Sequence, residues 1–436
     1  MNSNVFHLSI DEIKNTKTQW QHRLVPPNHL HYCPASAGGW GIIRVGLLVP
    51  ESVMLFVSPA GCGRHGAIAG IQLGFKKPLF LLHVSEMDII TGKHMEMIPR
   101  AVDEIMATVR PSPNAMLICA TCIDDLLGSD YDGLTQQLES RYGIPVRICH
   151  MNPPVMDTKK PPTFTVQQTV YDFLERSNFK ERALNIIGSF APIDAESEFY
   201  KVMADAGFTK VRHVAACKTM EEFRSMSKST HNLLIKPGGY LAAELMKEKL
   251  QIPYCITPVT YSFNSIAQTY SALEKFLGVK LSTDWYCEEA WDTVKSYKKT
   301  LGALTVAVGS TANASPFELA RALTEYGFHV PYIFADLLLV SDDEHIDWLK
   351  IYNPNVKIFT NNHPTMANLI KDKLTVDLTV GFDAGYFCSG AKTVPLGLEK
   401  QPYGYQGIIY LFREMVKALE NPRNHKEQMY ASGMVI

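Results

Sequence analysis

Short apolar runs alternate with helical patterns along most of the chain. Residues 53–58 (VMLFVS) form a continuous apolar run that stops at Pro59-Ala60-Gly61, the pattern of a strand covered on both faces. Residues 78–83 (PLFLLH), 115–119 (AMLIC) and 146–149 read the same way. Between them, residues 95–109 place Ile98, Val102, Ile105 and Met106 on one helical face, and residues 131–142 also read as a helix. The order repeats with a strand at 183–188 (ALNIIG), a helix at 197–206 stopped by Gly207, a short strand at 232–236 and a helix at 240–250. It repeats again with a strand at 304–308 (LTVAV), a helix at 316–326 ended by Gly327, and strands at 330–333, 356–360 and 378–380. This alternation predicts an α/β fold of parallel sheets flanked by helices.

A chain of 436 residues is long enough for several cores. Residues 152–162 (NPPVMDTKKPP) read as a linker, and a second break is expected near 285–299, before a new strand. The expected division is a domain over 1–160, a middle domain over 161–298 and a C-terminal domain over 299–436. Within it, the first 18 residues and residues 421–428 read as peripheral arms.

Lys and Arg total 42 against 44 Asp and Glu, so the net charge of −2 argues against nucleic acid as a partner. The most apolar early stretch, 41–62, is interrupted by Arg44, Pro50 and Glu51 and cannot span a bilayer. The first residues lack a basic region followed by an apolar one, and a cytoplasmic location is expected.

Nine cysteines are spread along the chain, a number and distribution unlike a small disulfide scaffold. Cys62 (SPAGCGRHG) and Cys122 (ICATCIDDLLGSD) directly follow predicted strands, and ligand sites in open α/β sheets lie beyond the carboxyl ends of strands. Cys33 begins a glycine-containing segment, CPASAGGWG. Soft thiolates without a nearby His pair suit an iron–sulfur centre better than a hard cation. Gly61 and Gly63 would let the backbone pass close to a bulky group, and their N–H groups could bond sulfide. Arg64 and His65 could donate protons or hydrogen bonds beside it, although such residues more often cap a loop. Cys119 completes a Cys-x-x-Cys with Cys122 but lies inside an apolar run, so it should face the core rather than act in redox exchange. No zinc-like spacing is present, no GxxxxGK[ST] occurs, and Gly38-Gly39-Trp40-Gly41 and Gly238-Gly239 do not make GxGxxG, so any ATP would be hydrolysed by another protein. Asp124, Asp125 and Asp130 read as a solvated helix start, His363 as a loop residue, and Cys255 and Cys388 as packed thiols.

The motifs together resemble component 1 of nitrogenase and nitrogenase-like oxidoreductases. CPASAGGWG is similar to the family's first cysteine segment, SPAGCGRHG to its glycine–cysteine loop after a strand, and CATCIDDLLGSD to its third cysteine loop. SEMDIITG (85–92), followed by IPRAVDEI, resembles its acidic loop, where Glu86 and Asp88 could steer a docking partner. Weaker echoes are NIIGSFAP (185–192) and PYGYQG (402–407). The resemblance implies three Rossmann-like domains. It also implies an iron–sulfur cluster, [4Fe–4S] or larger, held by Cys33, Cys62 and Cys122 at an interface with a like or paralogous subunit, in a homodimer or heterotetramer. An iron–sulfur ATPase would deliver electrons for reduction of a small-molecule substrate, and a second metal cofactor is left open. The family's catalytic subunit anchors its cofactor with a Cys before a middle-domain helix and a late His. The corresponding stretches here, 233–238 (LLIKPG) and 393–399 (TVPLGLE), have neither, which argues against dinitrogen reduction. Three roles follow: a reductase component, a non-catalytic beta-like partner, or a scaffold for metal-cluster assembly.

Overall fold

The computed structural model describes all residues except 1–4, 14–20, 26–29, 34–40, 73, 75–77, 123–127, 152–160, 370–373, 389, 398–400, 422 and 433–436. The expected linker at 152–162 lies almost wholly outside the described residues. The strands, in chain order, begin with β1 (Leu8–Ser9) and β2 (Gln21–Arg23). β3 (Ser52–Ser58), β4 (Leu79–His83), β5 (Ala115–Thr121) and β6 (Val146–Met151) form a parallel sheet in the order β4-β3-β5-β6. β7 (Glu181–Ile187), β8 (Lys210–Arg212), β9 (Ser229–Leu234) and β10 (Tyr254–Ile256) form a second, in the order β10-β9-β7-β8. The third sheet contains β11 (Thr305–Val308), β12 (His329–Phe334), β14 (Lys357–Phe359), β15 (Leu378–Val380) and β16 (Lys392–Val394), with β1 antiparallel at its edge. β13 (Leu337–Leu339) pairs only with β2. The predicted class, parallel sheets flanked by helices, is therefore the class observed.

Two compact units result. One comprises Met1–Gly39, Ile193–Thr209 and Thr257–Ile436, and the other Trp40–Pro192 and Lys210–Ile256. The second unit carries the first two sheets. All seven residues of β3 and of β5 are buried, as their unbroken apolar runs require. Alternation divides β3 between two cores. Val53, Leu55 and Val57 pack with Ile98, Val102, Ile105, Leu134 and Leu138 from the helices His94–Thr108 and Tyr131–Tyr142. Met54 and Phe56 pack with Cys119, Val166 and Val170, and this core continues to Ile187 and Leu234 of the second sheet. Among the described residues, no helix is long and apolar enough to cross a membrane.

Two expected arms are structural parts of the first unit. β1 adds an edge strand by pairing Leu8 with Ile358, and Ile10 and Ile13 behind it are buried. The helix His425–Ala431 docks through a fully buried Met429 and a 3.0 Å bond between His425 Nε2 and the Phe382 carbonyl. Residues 285–299, read as a break, lie within one continuous helix, Asp284–Leu301.

In each sheet the first of the parallel strands is followed by a neighbour on one side and later by a neighbour on the other: β4 then β5 around β3, β8 then β9 around β7, β12 then β15 around β11. The loops leaving the two central strands therefore diverge, which is where open α/β sheets bind ligands. In the third sheet this point is filled from within. The fully buried Asp383 carboxylate accepts from Ser310 N and Ser310 Oγ at 2.7 Å and from Thr311 Oγ1 at 2.7 Å. It also accepts from Thr311 N at 3.3 Å and Asn361 Nδ2 at 3.0 Å. Gly309 is required there, since a Cβ would lie 1.9 Å from Asp383 Oδ1. Asp383→Ala strands these buried donors. It should lower the unfolding free energy by roughly 3 kcal/mol in chemical denaturation, with full structure retained in Gly61→Ala, whose Cβ meets open space.

Candidate functional site

The first sheet's divergence point carries thiols. The register pairs Phe56 with Cys119, so β3 and β5 end side by side at Ser58 and Thr121. Cys122 directly follows β5, and Cys62 is the third residue of the helix Ala60–Gln72 that leaves β3. Both are half-buried free thiols, whereas Cys119, three residues back, is fully buried in the strand as predicted. The structure thus brings the ends of the two strands that carry Cys62 and Cys122 together. Cys33 is exposed and belongs to the other unit, in the segment anchored by a 2.9 Å bond from Tyr32 N to the Asn362 carbonyl. Among the described residues no group of three His, Cys, Asp or Glu side chains forms a metal-binding set.

The SPAGCGRHG segment is not an open loop; it enters a regular helix at once. Gly61 and Gly63 have no left-handed backbone, so their role is not to bend the chain. Gly63 is closely packed instead: a Cβ would sit 3.0 Å from Ser58 Oγ and 3.1 Å from the His83 ring, so those side chains would have to shift slightly to admit one. Gly61 faces open space, Arg64 is exposed, and His65 lies within the same helix. Asp88 is held by Ser85 and Lys93 at the start of the helix Glu86–Ile90, and those contacts hold its carboxyl below the usual range. Glu86 is exposed. Asp130 caps the helix Tyr131–Tyr142 by accepting from Gly133 N at 2.9 Å, while Asp124 and Asp125 lie outside the described residues. His363 stacks on Phe6 at 4.5 Å and bonds Thr365, a loop role. Cys388 is buried, with its thiol pushed up to about 12 by burial; Cys255 is half-buried and also raised.

The second sheet's divergence point is built from NIIGSFAP and the LLIKPGG segment after β9. Gly188 has φ +100°, and a Cβ on it would lie 2.5 Å from the Lys236 carbonyl oxygen. A Cβ on Gly239 would lie 2.5 Å from Gly188 Cα, so both glycines are needed for the two loops to touch. Gln167, buried on the helix Pro162–Asp172, donates to the Gly188 carbonyl at 3.2 Å. Ser189 and His213 face one another at 3.1 Å, which invites comparison with a nucleophile and its base. The bonds exclude that role. Ala215 N donates to His213 Nδ1 at 3.0 Å, so Nε2 carries the proton and donates to Ser189 Oγ, whose own proton goes to the Ala191 carbonyl at 2.7 Å. The pair is a clamp. The PYGYQG echo is likewise structural: Glu198 accepts from Tyr405 N, Gln406 N and Tyr270 OH at the start of the helix Gly404–Glu420.

Lys236 was not singled out by its sequence context. It lies two residues beyond the end of β9, and burial lowers its ammonium to about 7. A lysine after an apolar strand was the available signal, but its desolvation depends on the folded loops.

Comparison with known proteins agrees with this architecture. The family described as nitrogenase component 1 type oxidoreductase matches residues 38–420, and the chain belongs to that family. The nitrogenase iron-molybdenum cofactor biosynthesis protein NifE of Sinorhizobium fredii is 23% identical over 371 residues, covering 79% of this chain and 72% of that one. The nitrogenase iron-iron protein beta chain of Rhodobacter capsulatus is 23% identical over 368 residues, covering 72% and 78%. A solved structure, nitrogenase Cp1 at pH 6.5, superposes with a TM-score of 0.71 at 17% identity and covers 91% of this chain and 95% of its own. It shares the fold.

Burial lowers the His213 imidazole from its ordinary 6.5 to about 4, so the ring is neutral in the folded protein. A lowered folded value means this contribution to stability is present above pH 6.5 and lost as the pH falls through 4. Denaturation curves across that window should fall in the native protein by roughly 3 kcal/mol from this group, and the fall should be smaller in His213→Gln.

Proposed function

We propose that the chain is the cluster-bearing subunit of a nitrogenase-like, ATP-dependent multi-electron reductase, with Cys33, Cys62 and Cys122 holding an iron–sulfur cluster shared with a partner subunit. The observation that supports it most is the pair of free thiols, Cys62 and Cys122, at neighbouring strand ends of the first sheet's divergence point. The donor set suits the group: thiolates without imidazole favour iron and sulfide, and half-buried positions keep the sulfurs reachable. Such a cluster supplies one-electron relay chemistry. The chain's own residues would position and tune it, with Gly63 letting the helix lie close to β3 and β4, and with Arg64, Gly61 and His65 on the same helix. Three thiolates leave coordination to be completed by a like or paralogous subunit. Apolar side chains left exposed on the same unit, Ile68 and Ile71 on the cysteine helix and Met87 and Ile90 on the helix Glu86–Ile90, fit burial against such a partner. An iron–sulfur ATPase would supply the electrons, because the chain has no P-loop.

The second reading, a scaffold that holds a cluster precursor and passes it on, is favoured by the likeness to NifE and by the cofactor-anchoring Cys and His absent from 233–238 and 393–399. Either role gives the same first test. Protein purified without oxygen should contain iron and acid-labile sulfide, and Cys62→Ser or Cys122→Ser should each lower both severalfold while circular dichroism stays unchanged. Iron-free native protein from a host that assembles clusters overturns the proposal. ATP-dependent turnover with the ATPase then marks a reductase, and transfer of the cluster to a metal-free recipient marks a scaffold.

A further inference from the structure

Two of the three thiols take their positions from regular structure, Cys62 from a helix and Cys122 from the end of β5. Cys33 belongs to no helix or strand and is exposed, so other bonds must set its place. Those bonds converge on two adjacent loops of its own unit. β12 and β14 are paired up to Phe334 and Phe359; Asp336 follows the first strand, and Asn361 and Asn362 follow the second. The Asp336 carbonyl accepts from Leu24 N at 3.1 Å, just beyond β2. The Asn362 carbonyl accepts from Tyr32 N at 2.9 Å, one residue before Cys33. The two loops are also locked to each other. Asn362 donates to Asp336 Oδ1 from its main-chain nitrogen at 3.3 Å and from its side-chain nitrogen at 3.2 Å. Its side-chain oxygen accepts from Arg23 Nη1, at the end of β2, at 2.9 Å. Asn361 Nδ2 donates to Asp336 Oδ2 at 3.1 Å and to Asp383 Oδ2 at 3.0 Å, which ties the lock to the buried carboxylate of the third sheet.

We propose that Asn362 and Asp336 are positioning residues for Cys33: they fasten the stretch before it, at both ends, to the carboxyl edge of the third sheet and hold its thiolate ready before iron arrives. This rests on the cluster reading and deepens it. Ordering a loose segment at the moment of binding weakens binding, and a segment fixed in advance avoids that loss. The chemistry at position 362 is specific. A neutral amide can donate to a carboxylate and accept from a guanidinium at once. Alanine loses both bonds. Aspartate keeps the bond to Arg23 but loses the donor and sets a like charge against Asp336.

The test compares the native full chain with Asn362→Ala and Asn362→Asp, all purified without oxygen. Alkylation read by mass spectrometry and the rate of iron loss to a chelator are measured on each. In the native protein Cys33 should be shielded while iron is bound. In both variants Cys33 should label severalfold faster and iron should leave severalfold faster, with Cys62 and Cys122 shielded until it does. Asp377→Ala removes two bonds from Thr305, of 2.8 and 2.6 Å, at the amino end of the same sheet. It should leave Cys33 shielded, which separates positioning from loss of stability. Hydrogen exchange on the native chain after iron removal needs no variant: the Leu24 and Tyr32 amides should exchange at least about tenfold slower than an unstructured segment. With iron present in the native chain, shielding of Cys33 in both Asn362 variants, equal exposure of Cys33 in Asp377→Ala, or unprotected Leu24 and Tyr32 amides would each overturn the inference. A native chain that holds no iron overturns the cluster reading, and the ligand role of Cys33 with it, so the two failures are distinguishable.

Discussion

A parallel sheet that winds outward from its first strand in both directions must let two neighbouring loops part company at its carboxyl end. The backbone and side-chain groups at that point have no crossover helix above them, and something must satisfy them. Each of the three sheets meets this constraint around β3, β7 and β11, and each answers it with different chemistry. The third sheet closes the gap with a buried carboxylate, the second draws two glycine-bearing loops into contact, and the first leaves two thiols at the strand ends. Function is expected where the chain does not satisfy the point by itself.

The regular elements were legible because their causes are local. Unbroken apolar runs announced β3 and β5, and the spacing of Ile98, Val102 and Ile105 announced the helix that covers them. The separation of Cys119 from Cys122 was legible for the same reason, since one lies within the run and the other just beyond it. Misread segments lacked periodicity. β1 is two residues long and gains its stability from β14, and the helix His425–Ala431 is polar except for Met429. The glycines around Cys62 suggested a loop, whereas packing against Ser58 and His83 explains Gly63. Asp383 and its Ser310 and Thr311 donors lie about 70 residues apart in sequence, and the desolvation of Lys236 arises from loops that meet only after folding. No local pattern encodes either.

Membership of the nitrogenase component 1 type family constrains the account without completing it. The fold repeats one topological solution, which sets the first sheet's thiols at the kind of strand-end position where open α/β sheets bind ligands. The Ser189–His213 pair shows how readily proximity can mislead: the direction of two hydrogen bonds turns an apparent dyad into a structural clamp.

The central claim is that Cys62 and Cys122 are metal ligands rather than idle thiols. Differential alkylation without oxygen, read by mass spectrometry, measures this directly. In protein as purified, both sulfurs should resist alkylation and become reactive once the iron is chelated, while buried Cys119 and Cys388 stay unreactive throughout. Equal labelling of Cys62 and Cys122 before and after chelation would contradict the account.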